Sequence, residues 1–364
     1  MTVYVLAPAG VYTGGPTALF QLCKALRENG INAVMAFYGD GYNDPMHPNY
    51  KKYRCPWTLV RKISDDYDVC AIAPETAVDK IIRFKKAKKI IYWLAVDNYV
   101  LSLYRPSKLG FIQFTIKKYF FDPHIVYAII TGNSVIYYNA YVASYVKSLI
   151  DAKAVSVPDA DLHLVQSLYA KEFLSSYDVG NNNIVMIREP LEEEFLERSK
   201  EVIQHEKIDV VAFKTRKAYP LTFKLVKALR RHGIVVLDLK NVGKDRMIKI
   251  LSKSKIFLDI GLHPGRDRPP REAVVLDNIT IVNNHGGCYH FADCMIPVEF
   301  KWNCYLDQDI NYHKSIYDIE HYLENYEYYI KKFYSFKQYI LQEPSLFIND
   351  TRYLTQILMK WGVN

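Results

Sequence analysis

The chain has 364 residues, half of them apolar, with a net charge of +8; it is longer than one usual domain and too apolar to be disordered or fibrous. No run of about 18 uncharged apolar residues occurs, and the opening TVYVLAPAGV reads as a core strand rather than a leader, so a soluble, intracellular protein is expected. The positive charge suits an anionic partner and leaves nucleotide phosphate, anionic lipid and nucleic acid all open.

In chain order, TVYVLAPA from Thr2 predicts a strand, followed by the loop GVYTGGP. TALFQLCKALRENG then places Leu19, Leu22, Cys23 and Leu26 at helical spacing, with Gly30 as C-cap. INAVMAFYG, DVCAIAPE, KKIIYWLAVDN, AIITGN, DLHLVQS and NNNIVMI read as further strands of one Rossmann-like domain, residues 1–190. The highly charged stretch 191–206 reads as a linker with a short helix. The pattern then restarts over 207–345. KIDVVAF, IVVLDLK, KIFLDIGL and ITIVNN are strands, alternating with the helices PLTFKLVKALRRHG and KDRMIKILSKS.

From Lys314 the chain turns helical and tyrosine-rich, with Tyr322, Tyr326, Tyr329 and Phe333 at three- or four-residue steps. Aromatic packing explains this better than a base-stacking stripe. The segment DTRYLTQILMKWG predicts a closing helix over 346–364, capped by Asp350, with Leu354, Ile357 and Leu358 on its apolar face. The expected fold is therefore α/β, two doubly wound Rossmann-like domains facing across a cleft, with C-terminal helices. Ligands in such sheets bind at the carboxyl ends of the strands.

One strand-end segment, LDIGLHPGRDRPPREAVVL from Leu258 to Leu276, is unusual in following an apolar strand with three arginines, an aspartate, two adjacent prolines and a glutamate. Pro269 or Pro270 fits the first turn of a helix, and Glu272 is expected in that same turn. A helix N-terminus with Arg266, Arg268 and Arg271 beside it suits a diphosphate. A carboxylate there, Glu272 or Asp267, can accept bonds from a ribose diol. The bland alternative is that both acids pair with neighbouring arginines at a solvated turn. Two more strand ends carry similar signals. KTRK supplies Lys214, Arg216 and Lys217, or is merely a solvated edge. NNHGG supplies Gly286 and Gly287, for close approach to a ligand or just a tight turn.

The order strand-KTRK, strand-HPGRDRPPREA, strand-NNHGG resembles the C-terminal nucleotide-sugar domain of GT-B glycosyltransferases, especially the group with an E-x7-E motif. The resemblance implies that Lys214 and Arg216 bind the donor diphosphate, that Glu272 binds ribose, and that Gly286 and Gly287 face the donor sugar. GVYTGGPTALFQLCKAL is similar to the opening glycine loop of those enzymes, placing Gly14 and Gly15 beneath the donor phosphate or beside the acceptor. Eight positions before Glu272 stands Pro264 rather than glutamate. The family's contact to the donor sugar and its retaining chemistry therefore do not carry over at that position.

A general base near the acceptor hydroxyl would be needed for inversion. Asp97 and Glu75, each at a strand end of the first domain, are the candidates, with Asp97 preferred; His263 and His124 are further acid-base groups, and each of these residues has a structural alternative as cap or core polar group. No cofactor is expected beyond the nucleotide-sugar substrate, and no metal, because the basic clamp already supplies positive charge and no Asp-x-Asp pair stands at a strand end. The six cysteines are irregularly spaced, as reduced thiols are; His285, Cys288, His290, Cys294 and Cys304 crowd together but without zinc-ligand spacing. The basic aromatic stretches RFKKAKK and YRPSKLGFIQFTIKKYFF suit an anionic membrane surface, and no nucleic-acid motif occurs.

The expected activity is transfer of a sugar from a nucleotide-sugar to a glycan or lipid-linked acceptor in surface polysaccharide synthesis, at the cytoplasmic side and peripheral on the membrane. A GT-B nucleotide-sugar epimerase and a catalytically silent GT-B partner subunit are the alternatives.

Overall fold

The computed structural model describes residues 1–39, 41, 43–104, 140–203, 206–214, 221–304 and 310–362. They form two compact units. Met1–Tyr99, Ser156–Pro190 and Gln342–Asn364 make the first; Val100–Val155 and Leu191–Leu341 make the second. The expected strand AIITGN, His124 and most of YRPSKLGFIQFTIKKYFF lie outside the described residues.

The first unit is built on strands β1 (Thr2–Pro8), β2 (Ala33–Tyr38), β3 (Trp57–Leu59), β4 (Val69–Pro74), β5 (Lys88–Trp93), β6 (Leu162–Val165) and β7 (Ile184–Met186). They pair in parallel in the order β3-β2-β1-β4-β5-β6-β7. Every residue of β4 is buried, and this near-continuous apolar run marks a central strand covered on both faces. Helix α1 (Gly14–Glu28) buries Leu19, Leu22, Cys23 and Leu26, the residues that helical spacing singled out. After it, Gly30 takes φ +85°, a left-handed conformation that stops the helix at little cost for glycine alone. Helices α2 (Val96–Tyr104) and, after α3 (Ala140–Asp151) of the second unit, α4 (Leu168–Ser176) follow.

The second unit adds α5 (Glu193–Ser199), β8 (Ile208–Phe213), α6 (Leu221–Arg231), β9 (Val235–Asp238), α7 (Lys244–Lys253), β10 (Ser254–Asp259), α8 (Arg268–Val275), β11 (Ile279–Asn283) and β12 (Lys301–Trp302). Its parallel sheet runs β12-β11-β10-β8-β9. Within 191–206, α5 forms as expected, and Leu191 and Phe195 are part of this unit's core. The tyrosine-rich region forms α9 (Tyr312–Glu324) and α10 (Tyr326–Tyr329), and Tyr322, Tyr326 and Phe333 pack into that core.

One helix differs from expectation. Instead of starting at Asp350, α11 runs unbroken from Tyr334 to Lys360 through Pro344. Asp350 is no cap, because its carboxylate accepts from the Arg188 backbone N–H at 3.0 Å, Nε at 2.9 Å and Nη2 at 2.6 Å. The part of α11 from Gln342 onward contributes Phe347, Leu354 and Leu358 to the first unit's core.

Sheet order places the functional loops. Strand order reverses between β1 and β4 in the first unit and between β8 and β10 in the second. A crevice opens outside the carboxyl ends of two strands at such a reversal, because their connections leave toward opposite faces. Gly14 follows β1 and Glu75 follows β4; Lys214 follows β8, and the arginine-rich segment follows β10.

Candidate functional site

At the reversal in the second unit, α8 begins at Arg268, with Pro269 and Pro270 in its opening turn as anticipated. Glu272 is not in that turn; starting at Arg268 puts it one turn deeper. Its side chain is buried, and burial raises its carboxyl pKa against the opposing charges of Lys214, Arg268 and Arg271. Glu192, beside α5, adds a like charge. Among the described residues Glu272 accepts no hydrogen bond, so a buried carboxylate stands among three cations with its acceptor capacity unused.

The other members of the segment divide by what they hold. Arg271, 1% exposed, donates from Nη2 to the Arg266 carbonyl at 3.1 Å and from Nε to that of Asp267 at 3.3 Å. Arg266 lies over the Tyr339 ring, 5.3 Å from its centroid. Arg271 thus ties the loop to itself, while Arg266 packs against the aromatic ring. Lys214, Arg268 and Arg271 are the cations whose charges act on Glu272; Arg216 and Lys217 lie outside the described residues. His263 is fully buried, its Nδ1 3.2 Å from Asp267 Oδ2 and its Nε2 3.1 Å from the Asp259 carbonyl. A ring engaged at both nitrogens staples the loop. Asp259, His263 and Asp267 also present ligand atoms within 4.8 Å of one another, a spacing that a divalent cation can use.

Gly286 and Gly287 do allow a close approach, but to the chain itself. The Gly287 N–H donates to the His263 carbonyl at 2.9 Å, and a Cβ on Gly287 would run into the Gly265 carbonyl. Gly286 sits at φ +54°. The loop after β11 is thereby locked onto the loop after β10.

In the first unit, Glu75 ends β4 and Asp97 opens α2 after β5, so the neighbouring strands bring the two carboxylates to one edge of the sheet. Both are buried. Glu75 accepts from the Leu94 N–H at 2.9 Å, and burial pushes its pKa up to about 7 despite backbone bonds from Leu94 and Ala95. Asp97 accepts from Tyr169 Oη at 2.6 Å. Gly14 and Gly15 open α1, where the first turn carries no acid. A Cβ on Gly15 would meet only Leu94 Cδ1, at 3.7 Å, an ordinary contact. In RFKKAKK, Asp65 accepts from the backbone N–H groups of Lys85, Lys86 and Ala87, the Lys85 and Lys86 side chains are exposed, and Lys88 pairs with Asp161 at 2.7 Å.

Sequence reasoning missed Gln166, Tyr169 and Glu192. Gln166 follows β6 and donates to the Leu94 carbonyl, while His163, within β6, accepts from Trp93 Nε1 at 3.0 Å. The polar pair Gln166-Ser167 directly after the apolar LHLV was the available signal for the first. Glu192 was hidden inside a run of acids. Among the described residues no helix is long and apolar enough to cross a membrane.

No family model and no curated protein matches the sequence. Solved structures match along nearly the whole chain. HepE of Anabaena in complex with UDP shares 10% identity over 99% of this chain and 100% of that one, with a TM-score of 0.60. HepE with UDP-glucose shares 11%, over 99% of each chain, at 0.56. Sucrose-phosphate synthase of Thermosynechococcus elongatus shares 10%, over 99% of this chain and 98% of that one, at 0.60. Identity this low bears on architecture, and together with the two parallel sheets it shows that the chain has the GT-B glycosyltransferase fold.

Proposed function

We propose that the protein is a glycosyltransferase whose second unit binds the nucleoside diphosphate of a sugar donor through Lys214, Arg216, Arg268 and Glu272. The observation that carries the reading is Glu272, a buried carboxylate with no hydrogen bond among the described residues, set among Lys214, Arg268 and Arg271 at the point where the strand order reverses. Cations hold the diphosphate and the carboxylate accepts from the ribose hydroxyls. HepE, which shares the fold, is known with UDP and with UDP-glucose, so uridine nucleotides are the first donors to try. The acceptor is a glycan or lipid-linked sugar in surface polysaccharide synthesis, met at an anionic membrane surface, with Asp97 as the base that takes the acceptor proton. Both first-unit carboxylates are buried and hydrogen-bonded, Glu75 to the Leu94 N–H and Asp97 to Tyr169 Oη; Asp97 is put forward as the base with Glu75 as its comparison. Pro264, standing where the related group has glutamate, favours one other reading, a silent partner subunit that binds donor without turnover.

Isothermal calorimetry with UDP, UDP-glucose and ADP tests the donor site. Binding of at least one, lost in Glu272→Ala, is expected. Absence of any nucleotide binding, or full binding by the Glu272 variant, would refute it. Transfer assayed with purified lipid-linked acceptors then separates an enzyme from a silent partner.

A further inference from the structure

Cys288 and Cys294 stand at the two ends of a short turn in the second unit whose residues Tyr289 and Phe291 are 66% and 61% exposed. Both thiols are buried, and their sulfurs lie 3.0 Å apart. A disulfide bond spans about 2.05 Å, so closing one here needs only about 1 Å of approach. The ordinary reading is a weak thiol-to-thiol bond in the core. Two features set this pair apart from a filler. Cys288 closes the turn that begins at Gly286 and contains Gly287, which is locked against His263 and Gly265. The pair also borders a small cavity shared with Gly265, Arg266 and Asp267. Any displacement of these sulfurs is therefore passed to the loop after β10.

We propose that Cys288 and Cys294 are a reversible oxidation site, a dithiol that closes to a disulfide, and that closure shifts the Gly286–Gly287 turn and weakens nucleotide binding; only this last consequence rests on the donor-site reading. Cys294 is the attacking sulfur. Burial opposes its thiolate, but the bond from Cys288, the charge of Lys301 and the Ile296 N–H bring its pKa below the usual thiol value. With a hydroperoxide as oxidant, the Cys294 thiolate attacks the peroxide oxygen and the O–O bond breaks, giving a sulfenic acid and water or alcohol. The Cys288 thiol then attacks the sulfenic sulfur, the S–S bond forms and a second water leaves. A dithiol reductant reverses the reaction by exchange.

Trypsin offers a clean readout, because residues 272–301 contain both cysteines and no internal lysine or arginine. The folded, full-length protein is treated with hydrogen peroxide, residual thiols are alkylated, and the digest is weighed. Peptide 272–301 is expected unalkylated and lighter by two hydrogens, and restored by dithiothreitol, while the peptides bearing Cys70 and Cys304 remain alkylated. UDP affinity is expected to fall about tenfold on oxidation and recover on reduction, and Cys288→Ser should abolish both responses. Two alkylated cysteines in peptide 272–301 after oxidation would overturn the proposal. A closed disulfide with unchanged UDP affinity would overturn the coupling to the donor loop. Should the reduced protein bind no nucleotide at all, the donor-site reading fails, and the peptide mass still decides the disulfide.

Discussion

Glu272 sits one helical turn deeper in α8 than its sequence position suggested, and that turn changes its task. In the opening turn it would have met free backbone N–H groups; in the second it is buried with the charges of Lys214, Arg268 and Arg271 acting on it. Losing a charge-assisted hydrogen bond costs about 1.5–3 kcal/mol, so Glu272→Ala and Arg268→Ala should each weaken UDP binding about tenfold or more. Arg266→Ala and Arg271→Ala should lower the melting temperature first, since those guanidiniums hold the loop. If Asp97 takes the acceptor proton, Asp97→Asn should cut turnover about 10²–10⁴-fold at nearly unchanged nucleotide affinity. Glu75→Gln is the comparison, and activity in both variants would remove the first-unit carboxylates from the mechanism.

Glu75 also gives a prediction about pH. A carboxyl whose folded pKa, about 7, exceeds its ordinary 4.5 stabilises the fold fully below pH 4.5, and that contribution is lost as pH rises through about 7. His163 works the other way: burial lowers its pKa from 6.5 to about 4, so its contribution is present above pH 6.5 and is lost as pH falls through about 4. The two slopes oppose each other in the parent. Glu75→Gln should remove its downward slope, so that on raising pH from 4 to 6.5 the variant gains roughly 2 kcal/mol relative to the parent. Urea unfolding across that range checks it, and parallel curves for parent and variant would contradict the assignment.

At the scale of elements, the parallel strands and α1 were legible because their residues repeat at the periods burial imposes: β4 is apolar throughout, and α1 shows Leu19, Leu22 and Leu26 on one face. The switch-point loops were legible because charge stood where a buried strand had just ended. Contacts between distant segments were not. Nothing local in DTRYLTQ announces that Asp350 is claimed by Arg188, and nothing in NNHGG says that Gly287 leans on Gly265. The two glycine loops therefore make opposite predictions. Gly287→Ala should unseat the loops after β10 and β11, lowering the melting temperature and nucleotide binding together. Gly15→Ala meets only an ordinary contact and favours the helix, so its melting temperature should hold or rise. Loss of donor binding in that variant alone would mean that a ligand approaches Gly15 closely.

For the whole molecule, metal independence is the open electrostatic question, since Lys214 and Arg268 offer the positive charge that a cation would otherwise bring. EDTA is expected to leave transfer unchanged. Activity abolished by EDTA and restored by manganese would direct attention to Asp259, His263 and Asp267.

The path of α11 bears on how the protein is made. A ribosome releases the chain from its N-terminus, yet Phe347, Leu354 and Leu358 of the first unit's core emerge only after the second unit has been made. The first unit is therefore completed after the second, and until then the apolar surface those residues cover stays open to chaperones or to aggregation. A nascent chain halted after Leu341 should fold its second unit, resist proteolysis there, and remain cleavable in the first. Supplying residues 342–364 as a separate peptide should then protect it.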